Sequence, residues 1–244
     1  AGFDRIMQEL EISKGIRGII FISGKPDNFL AGANLKLISQ IQSAEEVRKT
    51  LDLFHGSFAR LIALGFPSVA AIHGHCLGGG LEFALACTAR IAKEGRSTLI
   101  GLPECNVGLF PGGGGTQRLP RLIGYAAFEL ILRGTMLPAA KAYEMGIVDR
   151  LIPAEADLLA SARAFLEEVI AGKADLKRPV QDFSQIDAVA EMAKAGILKA
   201  TRGREIPGPM LALKSMQEGL KLPLEKGLEL EKDNFVEVVL SKEA

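Results

Sequence analysis

The sequence predicts an α/β fold from three observations. Short apolar runs bounded by glycine or polar residues are typical of buried strands. Longer segments, whose apolar residues recur every three or four positions, are typical of amphipathic helices and alternate with those runs. From Pro153 onward only helical patterns follow. We therefore predict an α/β core at residues 1–152 and a helical C-terminal region, used for subunit packing, at residues 153–244.

The elements can be placed in order along the chain. A helical pattern opens it, and the first strand is predicted at Gly18–Ile22, between Gly15 and Gly24. A helix is predicted over residues 43–64, where Ser43 and Glu46 have the spacing of a capping box. The other predictions are strands at 68–72, 89–92 and 98–100, a helix starting at glycines 78–80, helices at 157–170, 188–198, 210–220 and 224–240, and a surface linker at 172–183.

Composition narrows the class of partner. Lys plus Arg and Asp plus Glu both number 29 in 244 residues, so the net charge is zero and nothing favours nucleic acid. The three cysteines form no Cys-x-x-Cys pair, and no His stands beside them at metal spacing, which argues against disulfides and zinc. The sequence lacks a long apolar membrane segment and an apolar signal peptide. We expect no membrane partner and a cytoplasmic protein, or a mitochondrial or peroxisomal one in a eukaryote.

Residues 71–87, AIHGHCLGGGLEFALAC, combine a predicted strand, a glycine cluster and a helix with Glu82 in its first turn. Glycines at such a junction let backbone N–H groups approach a ligand at the positive end of the helix dipole, where they can stabilise an oxyanion. A glutamate stabilised by that dipole, with no catalytic role, explains the stretch equally well.

Two more glycine-rich stretches could carry chemistry. Residues 101–124, GLPECNVGLFPGGGGTQRLPRLIG, contain Glu104 and a glycine run that we expect to pack against a ligand or against Glu104 itself. Neither glycine cluster has the spacing of a dinucleotide fingerprint or a Walker A loop, and a Gly-x-Ser-x-Gly elbow is lacking. Residues 28–38, NFLAGANLKLI, place Gly32 after the first strand, where a simple loop cap is the alternative.

Together the three stretches resemble the crotonase, or enoyl-CoA hydratase/isomerase, family. The matching strings are FLAGANLK, AAIHGHCLGGGLEFALAC, GLPECNVGLFPGGGGTQRLPRLIG and MGIVDRLIP. The segment between Ala84 and Glu104 and the C-terminal run look most like the hydratase/isomerase portion of multifunctional fatty-acid oxidation proteins. The resemblance implies a spiral of strand-strand-helix turns, trimers or dimers of trimers, and a first family strand that would precede Ala1. The stripe of Leu224, Leu228, Phe235 and Val239 suits packing between subunits or inside one chain.

The resemblance also implies roles for individual residues. The oxyanion hole would consist of the backbone N–H groups of Ala33 and Gly79. Glu82 would activate water, Glu104 would supply a proton, and the backbone of Gly112 would help to hold the water. The residues expected to bind the coenzyme A part of the ligand are Lys36, Ala31, Gly32, Leu77 and Gly78. Asn34 stands where the family usually has Asp, which leaves the donor at Ala33 unaffected.

These assignments predict hydration of a trans-2-enoyl-CoA, because that reaction needs both carboxylates and a stabilised enolate oxygen. Coenzyme A would enter as part of the substrate, with no metal or redox cofactor. Isomerisation of 3-enoyl-CoA to 2-enoyl-CoA, thioester hydrolysis and other chemistry of this fold remain alternatives. A non-catalytic coenzyme A binding protein is a further alternative.

Overall fold

The computed structural model describes residues 2–32, 40–41 and 43–241. Eight strands occur in these residues: β1 (Ile19–Ile22), β2 (Asn28–Leu30), β3 (Ser68–Ile72), β4 (His75–Leu77), β5 (Ala89–Lys93), β6 (Leu99–Gly101), β7 (Met136–Pro138) and β8 (Arg150–Ile152). The helices of the first half are α1 (Gly2–Ile12), α2 (Ala44–Ala63), α3 (Gly79–Ala86), α4 (Gly115–Ile123), α5 (Ala126–Leu132) and α6 (Ala139–Glu144), with a 3-10 helix at Pro103–Val107. The last four are α7 (Leu158–Ile170), α8 (Ile186–Ala200), α9 (Pro207–Gly219) and α10 (Leu224–Val239).

The strands form two four-stranded sheets. One is entirely parallel in the order β1-β3-β5-β8, and the other has the order β2-β4-β6-β7 with only β7 antiparallel. From β1 to β6, strands that follow each other in the chain therefore enter alternate sheets, whereas β6 and β7 are neighbours in one sheet; a helix follows most strand pairs. This arrangement confirms the predicted spiral of strand-strand-helix turns.

Strand β3 shows why its all-apolar sequence folds this way. All five of its residues are buried, as expected for a central parallel strand covered on both faces. Because side chains alternate between faces, Ala70 and Ile72 enter the main core while Val69 and Ala71 face α7 in a second, smaller cluster. The main core also takes in residues of α9 and α10, including Met216 and Phe235.

Helix α2 begins where the capping pattern predicts. The side chain of Ser43 accepts a hydrogen bond from the backbone N–H of Glu46 at 3.2 Å. The predicted C-terminal helices are present, although α8 and α9 begin two and three residues earlier than expected (186 against 188, 207 against 210). Residues 172–183 are irregular and mostly exposed, yet Gln181 donates from Nε2 to the carbonyl of Leu122.

Two residues of the predicted apolar stripe on α10, Leu228 and Phe235, pack inside the chain. The ring of Phe235 lies edge-on to Phe110 with centroids 5.4 Å apart, and Leu228 lies beside Gly114. Helix α10 thus closes over the glycine run of residues 112–115, and it faces α2 on its other side. The boundary predicted at residue 152 stays a prediction.

Candidate active site

Glu82 sits in the first turn of α3, and its side chain is only 3% exposed. The backbone N–H groups of Gly113 and Gly115 donate to its Oε1 at 2.6 and 2.8 Å. Burial raises the pKa of Glu82 to about 7, and the two amide hydrogen bonds and the nearby guanidinium of Arg118 oppose that rise. At neutral pH this carboxyl group is therefore poised between its acidic and basic forms.

Glu104 stands in the first turn of the 3-10 helix that starts at Pro103. Its Oε2 is buried and has no hydrogen-bond partner among the described residues. Burial raises its pKa well above the ordinary value, and the charges of Glu82 and Glu231 raise it further. Both effects favour the protonated form of Glu104.

Gly78 provides the close approach between Glu104 and the helix that carries Glu82. It caps α3 with a φ of 55°, a conformation that L side chains rarely adopt. A Cβ at this position would lie 2.8 Å from Glu104 Oε1. Glycine is therefore required both by the turn into α3 and by the carboxyl group packed against it.

Gly79 is the first residue of α3, so its N–H has no partner within the helix. A Cβ on Gly32 would stand 3.6 Å from that nitrogen and 3.1 Å from the carbonyl oxygen of Leu77. The structure thus brings Gly32, Leu77, Gly78 and Gly79 together, as the resemblance implies. Ala33 and Lys36, the other predicted donor and the predicted coenzyme A contact, lie outside the described residues.

A cavity of about 340 Å³ connects these groups. Its polar end holds Glu82, Glu104 and the glycines, together with Ala31. Its walls are apolar and come mainly from α2, from the segment before the glycine run and from α10, through Val47, Leu51, Phe54, Leu109, Phe110, Phe235 and Val239. The shape suits a ligand with a reactive polar group and an apolar tail.

The glycine run makes a contact that the sequence did not predict: its amides at Gly113 and Gly115 bind Glu82. The reason is that α3 points the Glu82 carboxylate at the run. The expected contact with a ligand or Glu104 stays a prediction. Gly112 lines the cavity, and its carbonyl oxygen accepts a hydrogen bond from His55 Nε2 at 2.7 Å. Its predicted role in holding water remains a prediction.

Sequence reasoning missed three charged or titratable residues behind the glycine run. Glu231 is fully buried on α10, His55 lies on α2, and the Nη1 of Arg118 is buried without a hydrogen-bond partner among the described residues. Burial raises the pKa of Glu231 to about 8, with a contribution from Glu82, and lowers that of His55 to about 4.

A periodic signal for two of them exists in the sequence. Glu231 continues the apolar stripe of α10, three residues after Leu228 and four before Phe235. His55 likewise falls between Leu51 and Phe58 on the buried face of α2. A titratable residue that falls in register with an apolar stripe lies on the buried face of its helix and is therefore a candidate for a shifted pKa.

The three cysteines are free thiols. Within the described part of the chain, no cluster of three His, Cys, Asp or Glu side chains suits a metal ion. No helix there is both long and apolar enough to span a membrane.

The fold and site together are typical of an α/β enzyme that performs acid–base chemistry on a ligand with an apolar part. Residues 3–228 match the family model for enoyl-CoA hydratase/isomerase, and the chain belongs to this family.

The curated relatives are subunits of a larger enzyme. The fatty acid oxidation complex subunit alpha of Shewanella amazonensis is 41% identical over 249 residues, which cover 98% of this chain and 35% of that subunit. The corresponding subunit of Vibrio vulnificus is also 41% identical, over 98% of this chain and 34% of its own length. The chain therefore spans about a third of the length of these relatives.

Solved structures show the same fold. The enoyl-CoA hydratase of Bacillus anthracis has 30% identity and a TM-score of 0.58, covering 99% of this chain and 80% of that one. DspI of Pseudomonas aeruginosa has 30% identity and a TM-score of 0.63, with coverages of 82% and 80%. An enoyl-CoA hydratase structure from Geobacillus kaustophilus, at 24% identity, supports the fold alone with a TM-score of 0.62 and coverages of 99% and 78%.

Proposed function

We propose that the protein is an enoyl-CoA hydratase that adds water across the double bond of a trans-2-enoyl thioester. The observation that carries this proposal is a pair of buried carboxyl groups with unequal proton affinity at the polar end of one apolar cavity. Coenzyme A is the handle of the substrate, and the apolar walls take the acyl chain. Family membership supports the same reaction.

Each carboxyl group suits one half of the proton traffic. Glu82, with a pKa of about 7, takes a proton from water as the oxygen attacks the β-carbon. Glu104, whose raised pKa favours the protonated form, donates a proton to the α-carbon. The β-carbon thereby gains hydroxyl and the α-carbon gains hydrogen, and a proton passes from Glu82 back to Glu104 before the next turnover.

Negative charge builds on the thioester oxygen when water attacks. A fixed backbone N–H that faces this oxygen stabilises the enolate without reorganisation. In this proposal the N–H of Gly79 is one such donor, because it opens α3 and lines the cavity. Ala33 is the second donor by resemblance.

The first experiment follows the conjugated enoyl-thioester absorbance of crotonyl-CoA. We expect rapid loss of the band with the unaltered protein, and a fall in kcat of about 10²- to 10⁴-fold in Glu82→Gln and Glu104→Gln, since each removes a general acid or base. Glu144→Gln is the matched control, because Glu144 is exposed and pairs with Lys141. A stable band despite coenzyme A binding by the unaltered protein would contradict the proposal.

A second activity, isomerisation of 3-enoyl-CoA to 2-enoyl-CoA, is favoured by the unpartnered Oε2 of Glu104. In its ionised form Glu104 can take a proton from the α-carbon and, once the dienolate has formed, return that proton to the γ-carbon without water. With a 3-enoyl-CoA the conjugated band should then grow, and Glu82→Gln should spare this growth while abolishing hydration. A protein with neither activity that still binds coenzyme A would support the non-catalytic alternative.

We infer trimers or dimers of trimers, as implied by the resemblance, and a cytoplasmic location. Light scattering of the purified protein tests the first inference. A monomer at micromolar concentration would contradict it.

A further inference from the structure

Glu231 lies on the opposite side of the glycine run from Glu82 and is completely buried. Its Oε1 accepts a hydrogen bond from the N–H of Gly114 at 2.6 Å. Its Oε2 accepts one from the N–H of Thr116 at 3.0 Å and another from the Thr116 hydroxyl. Glu231 therefore binds the same short loop as Glu82, through different atoms.

Successive N–H groups of this loop point to alternate carboxylates. Gly113 and Gly115 donate to Glu82, whereas Gly114 and Thr116 donate to Glu231. Because neighbouring peptide groups share a backbone, a shift that breaks one set of bonds also turns the other set. The direction of the two amides that hold Glu82 is thus coupled to Glu231.

The other contacts of the loop strengthen this coupling. His55 Nε2 donates to the carbonyl of Gly112, and the same nitrogen lies 3.9 Å from Glu231 Oε1. A Cβ on Gly114 would lie 1.9 Å from Arg118 Nη1, so the guanidinium covers the loop on that side. The loop is held from α2, α3 and α10 at once, and a buried acceptor missing from α10 would leave two buried amides unpaired.

We propose that Glu231 is a positioning residue for the hydration reaction: it fixes the glycine run so that the N–H groups of Gly113 and Gly115 stay directed at Glu82. Glu231 does not line the cavity, and its hydrogen bonds reach the active site through this loop. The inference rests on the proposed hydratase function. It assigns to α10 a part in setting the orientation of the catalytic base.

The variant Glu231→Gln tests this role, because it keeps the shape but places an NH₂ group against the N–H of Thr116. We expect kcat for crotonyl-CoA hydration to fall by about 10- to 100-fold, while KM changes by less than about 3-fold, as for loss of an interaction that matters in the transition state.

A double variant separates positioning from a general loss of folding. If Glu231 acts through Glu82, adding Glu231→Gln to Glu82→Gln should cost less than about 3-fold in kcat, because coupled residues are not additive. Costs that multiply in the double variant would overturn the proposal.

Two further variants keep the test decisive. Asp149→Asn is the matched control: Asp149 is a buried carboxylate, bound to Arg90 and Arg178, outside the cavity, and it should lower thermal stability with kcat retained. If Glu231→Gln fails to fold, Thr116→Val removes the hydroxyl, which donates to Glu231 and accepts from Gln117 Nε2, but keeps the backbone N–H bond to Glu231. We expect kcat to fall by about 3- to 10-fold at unchanged KM.

The outcomes for the proposal and for the function differ. If the unaltered protein hydrates crotonyl-CoA but Glu231→Gln keeps its kcat, or if the variant behaves like Asp149→Asn, Glu231 is structural and the inference fails while the function stands. If the unaltered protein leaves the enoyl band intact, the function itself fails.

Discussion

At the scale of single residues, the two proposed catalytic carboxyl groups differ in what satisfies their oxygens. Glu82 receives two backbone N–H groups on one oxygen, whereas Glu104 has an oxygen with no partner among the described residues. Donors stabilise the ionised form and burial without donors favours the neutral form. The difference between base and acid thus comes from the glycine run, which approaches only one of them.

This difference predicts the pH dependence of hydration. Since Glu82 must be ionised to accept a proton and its pKa is about 7, kcat/KM should fall about tenfold per pH unit below about pH 7. Initial rates with crotonyl-CoA between about pH 5 and 8 measure this fall in kcat/KM. Returning each sample to neutral pH and assaying it again controls for inactivation. An acidic limb near the ordinary glutamate value would show that burial does not tune Glu82.

Sequence patterns placed Glu82 at a glycine-rich strand-to-helix junction and Glu104 before the second glycine run, while their catalytic roles are implied by the resemblance and stay predictions. They did not predict that Glu231 serves the same loop. Its hydrogen-bond partner Gly114 is 117 positions away, and a helix pattern gives the buried face without naming what that face meets.

At the scale of elements, whether a helix or strand could be predicted from the sequence depended on how many residues it contains. Strands such as β3 and long helices such as α2 have enough residues to show a period, while three-residue strands such as β2 and β7 do not. Helix α4 escaped prediction because glycines and Pro120 argue against a helix. Tertiary contacts hold it instead, for example the bond from Gln117 Nε2 to the carbonyl of Ser215.

The start of α2 gives a prediction at this scale. Ser43→Ala removes the side chain that accepts the Glu46 N–H, so the free energy of unfolding should fall by about 1 kcal/mol. Urea denaturation followed by circular dichroism measures the change. Ser57→Ala within the same helix is the control, because its hydroxyl only bonds back to the Leu53 carbonyl; it should change stability by less than about 0.5 kcal/mol. Equal losses in both variants would argue against a capping role.

At the scale of the whole molecule, three buried carboxyl groups share one region, since the charge of Glu82 raises the pKa values of Glu104 and Glu231, and the charge of Glu231 raises that of Glu104. A carboxyl group whose pKa is higher in the folded state stabilises folding below its unfolded value. That contribution is lost as the pH rises through the folded value. The region around the active site therefore favours folding at acidic rather than alkaline pH, whereas buried His55 acts in the opposite sense.

The contribution of Glu231 to this pH dependence of stability can be measured by itself. On folding, burial and the charge of Glu82 raise the pKa of Glu231 from 4.5 to about 8, and the guanidinium of Arg118 opposes the rise. His55 also faces this carboxyl group. Relative to Glu231→Gln, the unfolding free energy of the unaltered protein should decline by roughly 1.4 kcal/mol per pH unit between about pH 5 and 8. Urea titrations of both proteins across this range test the slope. A difference that stays constant with pH would mean that Glu231 titrates alike in both states.

The glycine run is anchored by both Glu82 and Glu231, and this has a consequence for biosynthesis. The contact between Glu82 and Gly115 joins residues 33 positions apart, whereas the contact between Gly114 and Glu231 joins residues 117 positions apart. Contacts so distant in the chain form late during folding. A nascent chain whose α10 is still inside the ribosome thus contains both proposed catalytic glutamates, yet it lacks the part of the cavity wall that α10 supplies and one of the two anchors of the glycine run.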